Sequence, residues 1–441
     1  MNSQQQVIRE IPGDRGWPLV GHTLSILKDI QAFFDRKTRQ HGAVFSTQFL
    51  GEEWIRLTGP DACQWLLQDK DNNFSTKLGW ESFVGDLFPR GLMLKDGDDH
   101  LYHRRIMQSA FQKSALARYQ QMMHKQMPEL LQEMPSQQSF DAADQVRNLL
   151  LDIASNVFIG ESDVNARDKL QKAFRTTVAA TMAIIRKPIP GTLYKRGLDS
   201  RAYLERYFLA KVPQKRNDES GNLFAALTRA KDEDGNNFSD QEIADHMIFL
   251  LMAAQDTTSS ALTSLFYMLA EHPQWQERLR EEYQAISEFT YESLEQMPQT
   301  SWVFKEVLRM CTPGAVIPRR SLREVEYNGY RIPADTIVSV SPIHNHYLPE
   351  YWTSPDTFDP ERFSPERAED KQHPYLFAPF SGGVHKCIGL HFAEMEIKVI
   401  LFHLLQRFQI SRDESEKVNW QKAPVWQPKG GLTVQLTPLT E

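Results

Sequence analysis

The apolar positions of this chain are densest near its middle, where they predict one long helix. Met247-Ile-Phe-Leu-Leu-Met-Ala-Ala254 is apolar throughout, and Gln255-Asp-Thr-Thr-Ser-Ser260 follows directly. A membrane-spanning helix needs about 20 predominantly apolar residues, and a central aspartate is costly in lipid. Ser239-Asp-Gln-Glu242 has the spacing of a capping box, and His272-Pro273 supplies a stop signal. The pattern therefore predicts a buried soluble helix about 45 Å long.

Alternating apolar and polar residues predict three short strand hairpins. The first covers Ala43 to Leu57, with Gly51 near its turn. The second covers Arg323 to Ile332, because its central Asn328-Gly329 is a dipeptide that two-residue hairpin turns prefer. A third hairpin is expected over Pro428 to Leu436.

Helical periodicity dominates the rest of the chain, over about residues 61–310 and 388–410. No repeat, low-complexity tract or Gly/Ser linker divides the sequence. We therefore expect a mainly α fold with a minor β subdomain, built as a single large domain over residues 1–441. The small β-rich parts are expected at about residues 40–60, 315–345 and 425–437.

Composition and charge narrow the class of protein. The chain has 441 residues, 41% of them hydrophobic, which is enough to build a large core and excludes a disordered chain. Three cysteines and an N-terminus without a charged and then apolar leader argue against a secreted disulfide scaffold, so a cytoplasmic location is expected. A net charge of −7 argues against a general nucleic-acid-binding surface.

The strongest chemical signal is the segment Phe380-Ser-Gly-Gly-Val-His-Lys-Cys-Ile-Gly389, which precedes a helical pattern. A lone cysteine is more often a small buried apolar residue than a ligand. Here, however, glycines allow close approach of a flat ligand, and a following helix N-terminus would stabilise a thiolate. A single thiolate suits haem iron, whereas zinc needs more ligands. Cys63 and Cys311 lie in helical patterns without Cys-x-x-Cys spacing, and we expect them to be structural.

The Phe-x-x-Gly-x-His-x-Cys-x-Gly stretch resembles the haem-binding signature of the cytochrome P-450 family. The resemblance implies that Cys387 is the metal ligand, as the axial ligand of the iron of haem b. It also implies that Phe380, Gly383, His385 and Gly389 bind the cofactor.

The long central helix resembles the distal helix of the same family. Ala253-Ala-Gln-Asp-Thr257 is similar to the Ala/Gly-Gly-x-Asp/Glu-Thr pattern, with Ala254 where the family usually has Gly. The resemblance implies that Ala253 contacts the haem and that Asp256 and Thr257 are catalytic residues that relay protons. In the alternative interpretation, the Thr257 and Thr258 hydroxyls only bond back to carbonyls one turn earlier and bend the helix.

Two further motifs match residues that hold haem in this family. His100-Leu-Tyr-His-Arg104 is similar to the Trp/His-x-x-x-Arg motif, whose side chains bind a haem propionate. Arg319 of Ile317-Pro-Arg-Arg320 is expected to bind the second propionate, and His385 makes a third contact. On composition alone, each of these residues would more often be a surface charge.

Glu306-Val-Leu-Arg309 places a carboxylate and a guanidinium on one helical face. On the residues alone this pair would be a surface salt bridge of small energy. The resemblance implies instead a buried structural triad with Arg362, which would hold the irregular segment before the cysteine loop.

The resemblance implies a haem-thiolate monooxygenase that uses dioxygen and two externally supplied electrons. We expect it to hydroxylate or epoxidise a lipophilic substrate such as a terpenoid, retinoid, steroid or fatty acid, because the segments that line the pocket in this family are apolar here. Those residues are Trp80, Phe83, Leu87, Phe88, Leu92, Met93, Phe174, Val178, Met182, Ile184, Ile185, Val316 and Ile317. Such residues are also common in an ordinary core.

No flavin, nicotinamide or iron–sulfur segment is visible in the chain, so a ferredoxin- or flavodoxin-type electron donor with its reductase is expected. The stretch from His100 to Pro128 contains basic residues and no acid, and predicts the docking face; a solvated helix face is the alternative. No nucleic acid and at most peripheral membrane contact are expected. Two other classes stay open: a haem-thiolate hydroperoxide isomerase or peroxygenase, and a non-enzymatic haem sensor.

Overall fold

The computed structural model describes residues 9–161, 163–183, 185–232 and 234–439. Helices dominate, and strands are short. The helices are α1 (Thr23–Lys28), α2 (Ile30–His41), α3 (Pro60–Gln68), α4 (Thr76–Val84), α5 (Gly97–Ser109), α6 (Lys113–Gln132), α7 (Ala142–Ala154), α8 (Val164–Ala180), α9 (Leu193–Arg216), α10 (Leu223–Arg229), α11 (Asp240–Glu271), α12 (Pro273–Gln284), α13 (Pro298–Met310), α14 (Pro342–Asn345) and α15 (Leu390–Leu405). The mainly α fold class predicted from the sequence is confirmed.

The strands are β1 (Gly13–Asp14), β2 (Val44–Phe49), β3 (Glu52–Leu57), β4 (Phe74–Ser75), β5 (Ser139–Asp141), β6 (Ile317–Ser321), β7 (Val325–Tyr327), β8 (Tyr330–Ile332), β9 (Ile337–Val340), β10 (Phe408–Ser411), β11 (Trp420–Gln421), β12 (Gln427–Pro428) and β13 (Thr433–Pro438). None of the helices described here combines the length and the apolar character that a membrane crossing requires.

The described chain divides into two compact units. The strand unit comprises the residues up to Trp80, Lys305–Cys387 and Trp420–Gln427, and the helical unit comprises Glu81–Phe304, Ile388–Asn419 and the residues from Pro428 onward. Whether the chain behaves as the single domain expected from the sequence stays a prediction.

A six-stranded sheet organises the strand unit, in the order β1-β2-β3-β9-β6-β4. β2 and β3 form the predicted first hairpin, and β7 and β8 form the second. At its turn, Asn328 and Gly329 both have positive φ, at 49° and 77°, which asparagine and glycine adopt at least cost. The apolar face of the large sheet packs on α3. This core contains Val44, Ile55, Leu57, Ala62, Cys63, Leu66, Leu67, Phe74, Ile317, Ile332, Val338 and Val340.

The predicted third hairpin is wrong. β13 pairs antiparallel with β10 and with β5, whereas Pro428 ends β12 and residues 429–432 form a turn that leads into β13. Gly430 and Gly431 have φ of 86° and 93°, which a hairpin turn also allows, but the strand that follows pairs with β10 and β5 instead. Local alternation identified the strand, but backbone partners from distant parts of the chain decided its pairing.

α11 is the long helix predicted from the central apolar run, and most of its residues are buried. Its start is the predicted capping box, because the Ser239 amide donates to Glu242 Oε2 at 2.8 Å and the Glu242 amide donates to Ser239 Oγ at 3.3 Å. His272 caps its end. α7 and α9 pack against it within the helical unit, so α11 is the central element there.

Close backbone contact within the strand unit positions the loop before Cys387. Gly383 has a φ of 64°, and a Cβ built on it would lie 1.9 Å from the Leu67 carbonyl oxygen at the end of α3. A side chain cannot fit at that distance, and an L residue is also strained at this φ. Glycine is therefore required at this position for the loop to lie against α3.

We predict that Gly383→Ala destabilises the protein by at least about 2 kcal/mol, because left-handed strain and a backbone overlap add. Urea unfolding followed by circular dichroism measures this. Gly314→Ala is the matched control, because its Cβ would meet nothing within 4 Å and its φ is not in the left-handed region. Equal midpoints for the two variants would show that the α3 contact does not constrain the loop.

Candidate active site

The middle of α11 is more open than the rest of the helix. Ala253, Ala254 and Asp256 are half-buried and Thr257 is exposed, whereas the turns before and after them are buried. Small side chains on this face leave room for a flat ligand to approach the helix backbone. Within the helical unit, this is the face that bears the predicted acid and hydroxyl.

Asp256 and Thr257 have distinct local environments. Burial raises the pKa of the Asp256 carboxyl, and the positive charge of Arg147 opposes this increase. The Asp256 side chain therefore keeps a proton more readily than an exposed aspartate does. The Thr257 hydroxyl donates to the Ala253 carbonyl oxygen at 2.7 Å, which is the bond that the alternative interpretation expected. Since a hydroxyl has one hydrogen, the Thr257 oxygen is left to accept a hydrogen bond.

α5 of the helical unit carries the predicted propionate-binding pair. His100 is buried and Arg104 is half-buried. They are four residues apart on one helix, so their side chains lie on the same face.

The cysteine loop belongs to the strand unit and holds Cys387 in an accessible position. Cys387 is exposed, whereas Cys63 and Cys311 are buried, as expected for structural cysteines. The Cys387 amide donates to the Phe380 carbonyl oxygen at 3.0 Å, which closes the loop. Cys387 lies three residues before the first residue of α15. The N-cap residue of that helix is Gly389, which has no side chain to bond the first helical amides.

Arg319 and Arg320 are neighbours on β6 with opposite environments. Arg319 is only 4% exposed, whereas Arg320 binds Glu52 at 2.5 Å and Asp335 at 3.0 Å. Successive residues of a strand point to opposite faces, so the two guanidinium groups cannot share a partner surface. Because Arg320 already pairs with these two carboxylates, Arg319 is the better candidate to bind an anion at the buried face.

Glu306, Arg309 and Arg362 form a fully buried cluster in the strand unit. Glu306 accepts two bonds from Arg309, at 2.7 and 2.8 Å, and one from Arg362 at 3.0 Å. Burial would lower the pKa of Arg309, but these bonds to the Glu306 carboxylate outweigh that effect and raise it.

The same cluster reaches further than the sequence indicated. Arg362 also donates to Glu369 at 2.8 Å, and Arg309 donates to the His346 carbonyl oxygen at 2.8 Å. Glu369 balances the positive charge of Arg362. No motif spacing in the sequence predicted this residue. The network therefore ties α13 to the irregular segment that leads to the cysteine loop.

The predicted site residues fall into two sets. The strand unit contains Phe380, Gly383, His385, Cys387 and Arg319, and the helical unit contains His100, Arg104, Ala253, Asp256, Thr257 and Gly389. Each set fits one part of a haem. An accessible thiolate donor in a glycine loop suits an axial position on iron, and buried cations suit propionates. The donor chemistry is therefore that of a haem with one protein thiolate ligand.

Comparison with known proteins identifies the family. The cytochrome P-450 family model matches residues 11–435. Cytochrome P-450 136 of Mycobacterium tuberculosis is 38% identical over 98% of this chain and 89% of that protein. Abscisic acid 8'-hydroxylase 2 of Arabidopsis thaliana is 30% identical over 99% of this chain and 91% of that protein. Taxane 10-beta-hydroxylase of Taxus cuspidata is 28% identical over 97% of this chain and 89% of that protein.

The fold comparison agrees. The solved structure of retinoic acid-bound cyanobacterial CYP120A1 superposes with a TM-score of 0.89, at 28% identity, and covers 98% of this chain and 100% of that one. Dioxygen and electrons delivered by a redox partner are the co-reactants of this family. The chain belongs to the cytochrome P-450 family and is a haem-dependent monooxygenase.

Proposed function

We propose that this protein is a haem b monooxygenase that hydroxylates or epoxidises a lipophilic substrate of terpenoid, retinoid, steroid or fatty-acid type. The observation that carries the proposal is the accessible Cys387 thiol, held in a closed glycine loop three residues before α15. A thiolate ligand favours cleavage of the O–O bond when the haem is bound.

The protein residues in this proposal bind and orient the cofactor. Cys387 would bind the haem iron, and His100, Arg104, Arg319 and His385 would hold the propionates. Burial of His100 and Arg319 supports this role, because a buried cationic or hydrogen-bonding group is suited to a buried anion. The backbone around Ala253, Phe380, Gly383 and Gly389 shapes the space for the ring. Glu306, Arg309 and Arg362 hold the segment before the cysteine loop and do not act in catalysis.

Asp256 and Thr257 are the proposed catalytic residues. Asp256 keeps a proton readily and lies on the half-open face of α11, where it supplies protons during oxygen activation. The Thr257 oxygen is left to accept a hydrogen bond at the same face, because its own hydrogen is donated to the Ala253 carbonyl oxygen. This acid and hydroxyl are the features that favour a monooxygenase over a hydroperoxide isomerase, which needs no proton delivery, and over a haem sensor.

The proposed substrate class rests on the apolar residues and on the relatives. Leu87, Phe88, Leu92 and Phe174 are buried in the helical unit, while Met182 and Ile185 are exposed in the segment after α8. Ile184 lies outside the described residues. Abscisic acid, taxanes and retinoic acid, named in the relatives' descriptions, are all isoprenoids. A large isoprenoid is therefore the first candidate among the lipophilic classes.

The proposed electron donor is an acidic ferredoxin or flavodoxin with its reductase. Arg105, Lys113, Arg118 and Lys125 are exposed on α5 and α6. Lys113 lies 3.4 Å from Glu292, but both side chains are about two-thirds exposed, so solvent screens the pair. The basic face is thus open to an acidic partner. The cytoplasmic location expected from the sequence stays a prediction.

The carbon monoxide difference spectrum of the reduced holoprotein tests the proposed function. We expect a thiolate-type Soret band that is lost in Cys387→Ala and kept in Cys311→Ala, because Cys311 is a buried structural cysteine. The same holoprotein should show a spectral shift on titration with retinoic acid. A well-folded holoprotein without the thiolate band, or with shifts caused only by small polar ligands, contradicts the proposal.

Asp256→Asn tests the proton relay. We expect product formation to slow by roughly ten- to a hundred-fold, because the amide cannot deliver a proton, with the carbon monoxide band unchanged. The solvent deuterium isotope effect on kcat should change as well. Asp168→Asn, at an exposed aspartate of α8, is the matched control and should behave like the wild type. Wild-type rates and isotope effects in Asp256→Asn would remove Asp256 from the mechanism.

Charge reversal tests the docking face. Lys113→Glu combined with Arg118→Glu should slow reduction by a ferredoxin roughly ten-fold at low ionic strength and weaken the salt dependence of the rate. Lys172→Glu on α8 removes an exposed lysine elsewhere in the same unit and should leave both unchanged. Reduction rates that do not depend on salt, or on these charges, refute docking at α5 and α6.

A further inference from the structure

A buried carboxylate on α11 is the centre of a charge network that joins three parts of the helical unit: α9, α11 and the segment after α4. The Asp245 side chain is 1% exposed and bonds Arg90, Arg201 and Gln241. Glu205 of α9 joins the same network, through Arg90 at 2.9 Å and Arg201 at 3.3 Å. Two guanidinium groups face two carboxylates, so the charges balance.

Arg90 differs from the other members because it does not belong to a helix. It lies in the segment between α4 and the short helical turn Leu92–Leu94. Its guanidinium bonds Asp245 on α11 and Glu205 on α9, and its side chain is 49% exposed. Arg90 is therefore the outer contact by which this segment is fastened to both helices.

Other contacts hold the same segment closely. A Cβ on Gly91 would lie 2.4 Å from the Phe249 ring on α11, so the backbone passes directly over that ring. Arg186 donates to the Phe83 carbonyl oxygen at 3.0 Å, and the Tyr194 hydroxyl donates to Asp86. Leu87, Phe88 and Leu92 are buried beneath these polar contacts. The segment therefore packs on its neighbours through apolar side chains and is held in place by polar contacts.

The Arg90 contact can also open without leaving the buried carboxylate unpaired. Arg201 is 7% exposed and stays bonded to Asp245, so release of Arg90 does not leave the buried carboxylate without a positive partner. Leaving a buried carboxylate without any positive partner is strongly destabilising, whereas water screens the Arg90 side of its pair, which is 49% exposed. Opening at Arg90 is thus compatible with an intact fold.

We propose that Arg90 is a specificity-determining residue that fastens the segment from Phe83 to Leu94 onto α9 and α11 and thereby limits the size of ligand that enters. This deepens the proposed function, since it rests on this segment lining the substrate space. Arg90 acts by positioning the segment and does not contact the reacting atoms.

Hydrogen exchange of the holoprotein tests the fastening without any ligand. In Arg90→Gln, amides of residues 85–94 should exchange roughly three-fold faster, the size expected for loss of a half-exposed ion pair, while amides of α5 stay unchanged. Arg90→Lys should restore part of the protection, because it keeps one charge but loses the two-carboxylate fork. Arg167→Gln removes a comparable partly exposed pair with Asp152 and should leave residues 85–94 as in the wild type.

Binding of two azoles of different size tests the specificity. Imidazole and clotrimazole both bind haem through an azole nitrogen, and stopped-flow absorbance gives their association rates. Arg90→Gln should speed clotrimazole association roughly three-fold and leave imidazole unchanged. Faster exchange with equal acceleration of both azoles, or no change in exchange at residues 85–94, overturns the proposal. Absence of any azole shift in the wild-type holoprotein would instead refute the proposed function, and the exchange result would still decide whether Arg90 fastens the segment.

Discussion

The strand unit depends on one buried carboxylate shared by two buried guanidinium groups. Glu306 accepts three hydrogen bonds from Arg309 and Arg362, and all three residues are fully buried. Removing one member of such a group costs about 3–5 kcal/mol, because the partner charge is left uncompensated. The irregular chain around Asp359 has little secondary structure of its own, so this network takes the role that a ladder of backbone bonds has elsewhere. It anchors the segment from which the cysteine loop continues.

The helical unit uses buried charge on its central helix in two ways. Near the start of α11, Asp245 is fully neutralised by arginines and serves to fasten neighbouring elements. Three turns later, Asp256 has no ion pair in the described part of the chain that would hold it ionised, and burial raises its pKa. One helix therefore carries a carboxylate fixed by charge and a carboxyl that exchanges its proton. The difference lies in the number of cationic side chains that each carboxyl group contacts.

Much of the fold was predictable because its signals are local. The capping box at Ser239 and the Asn328-Gly329 turn each depend on residues within one turn, and the structure has both. The third hairpin failed because β13 takes its partners from β5 and β10, nearly 300 and about 25 residues earlier in the chain. Strand pairing over such distances leaves no mark in a window of ten residues. The choice between Arg319 and Arg320 was of the same kind, since both fit the motif and only their contacts separate them.

The sequence by itself determined the family and the mainly α class, and it predicted Cys387 as the cysteine that acts as a ligand. It could do so because the glycine, histidine and cysteine positions of one short loop resemble the haem-binding signature of the cytochrome P-450 family, to which the chain belongs. Only the tertiary structure decided which charges meet. Glu369 completes the Glu306 network, and Arg90 and Arg201 converge on Asp245 from distant segments. Burial gives such contacts their strength, because a charge removed from water must find its partner wherever the fold brings one, and burial is a property of the whole fold rather than of a local pattern.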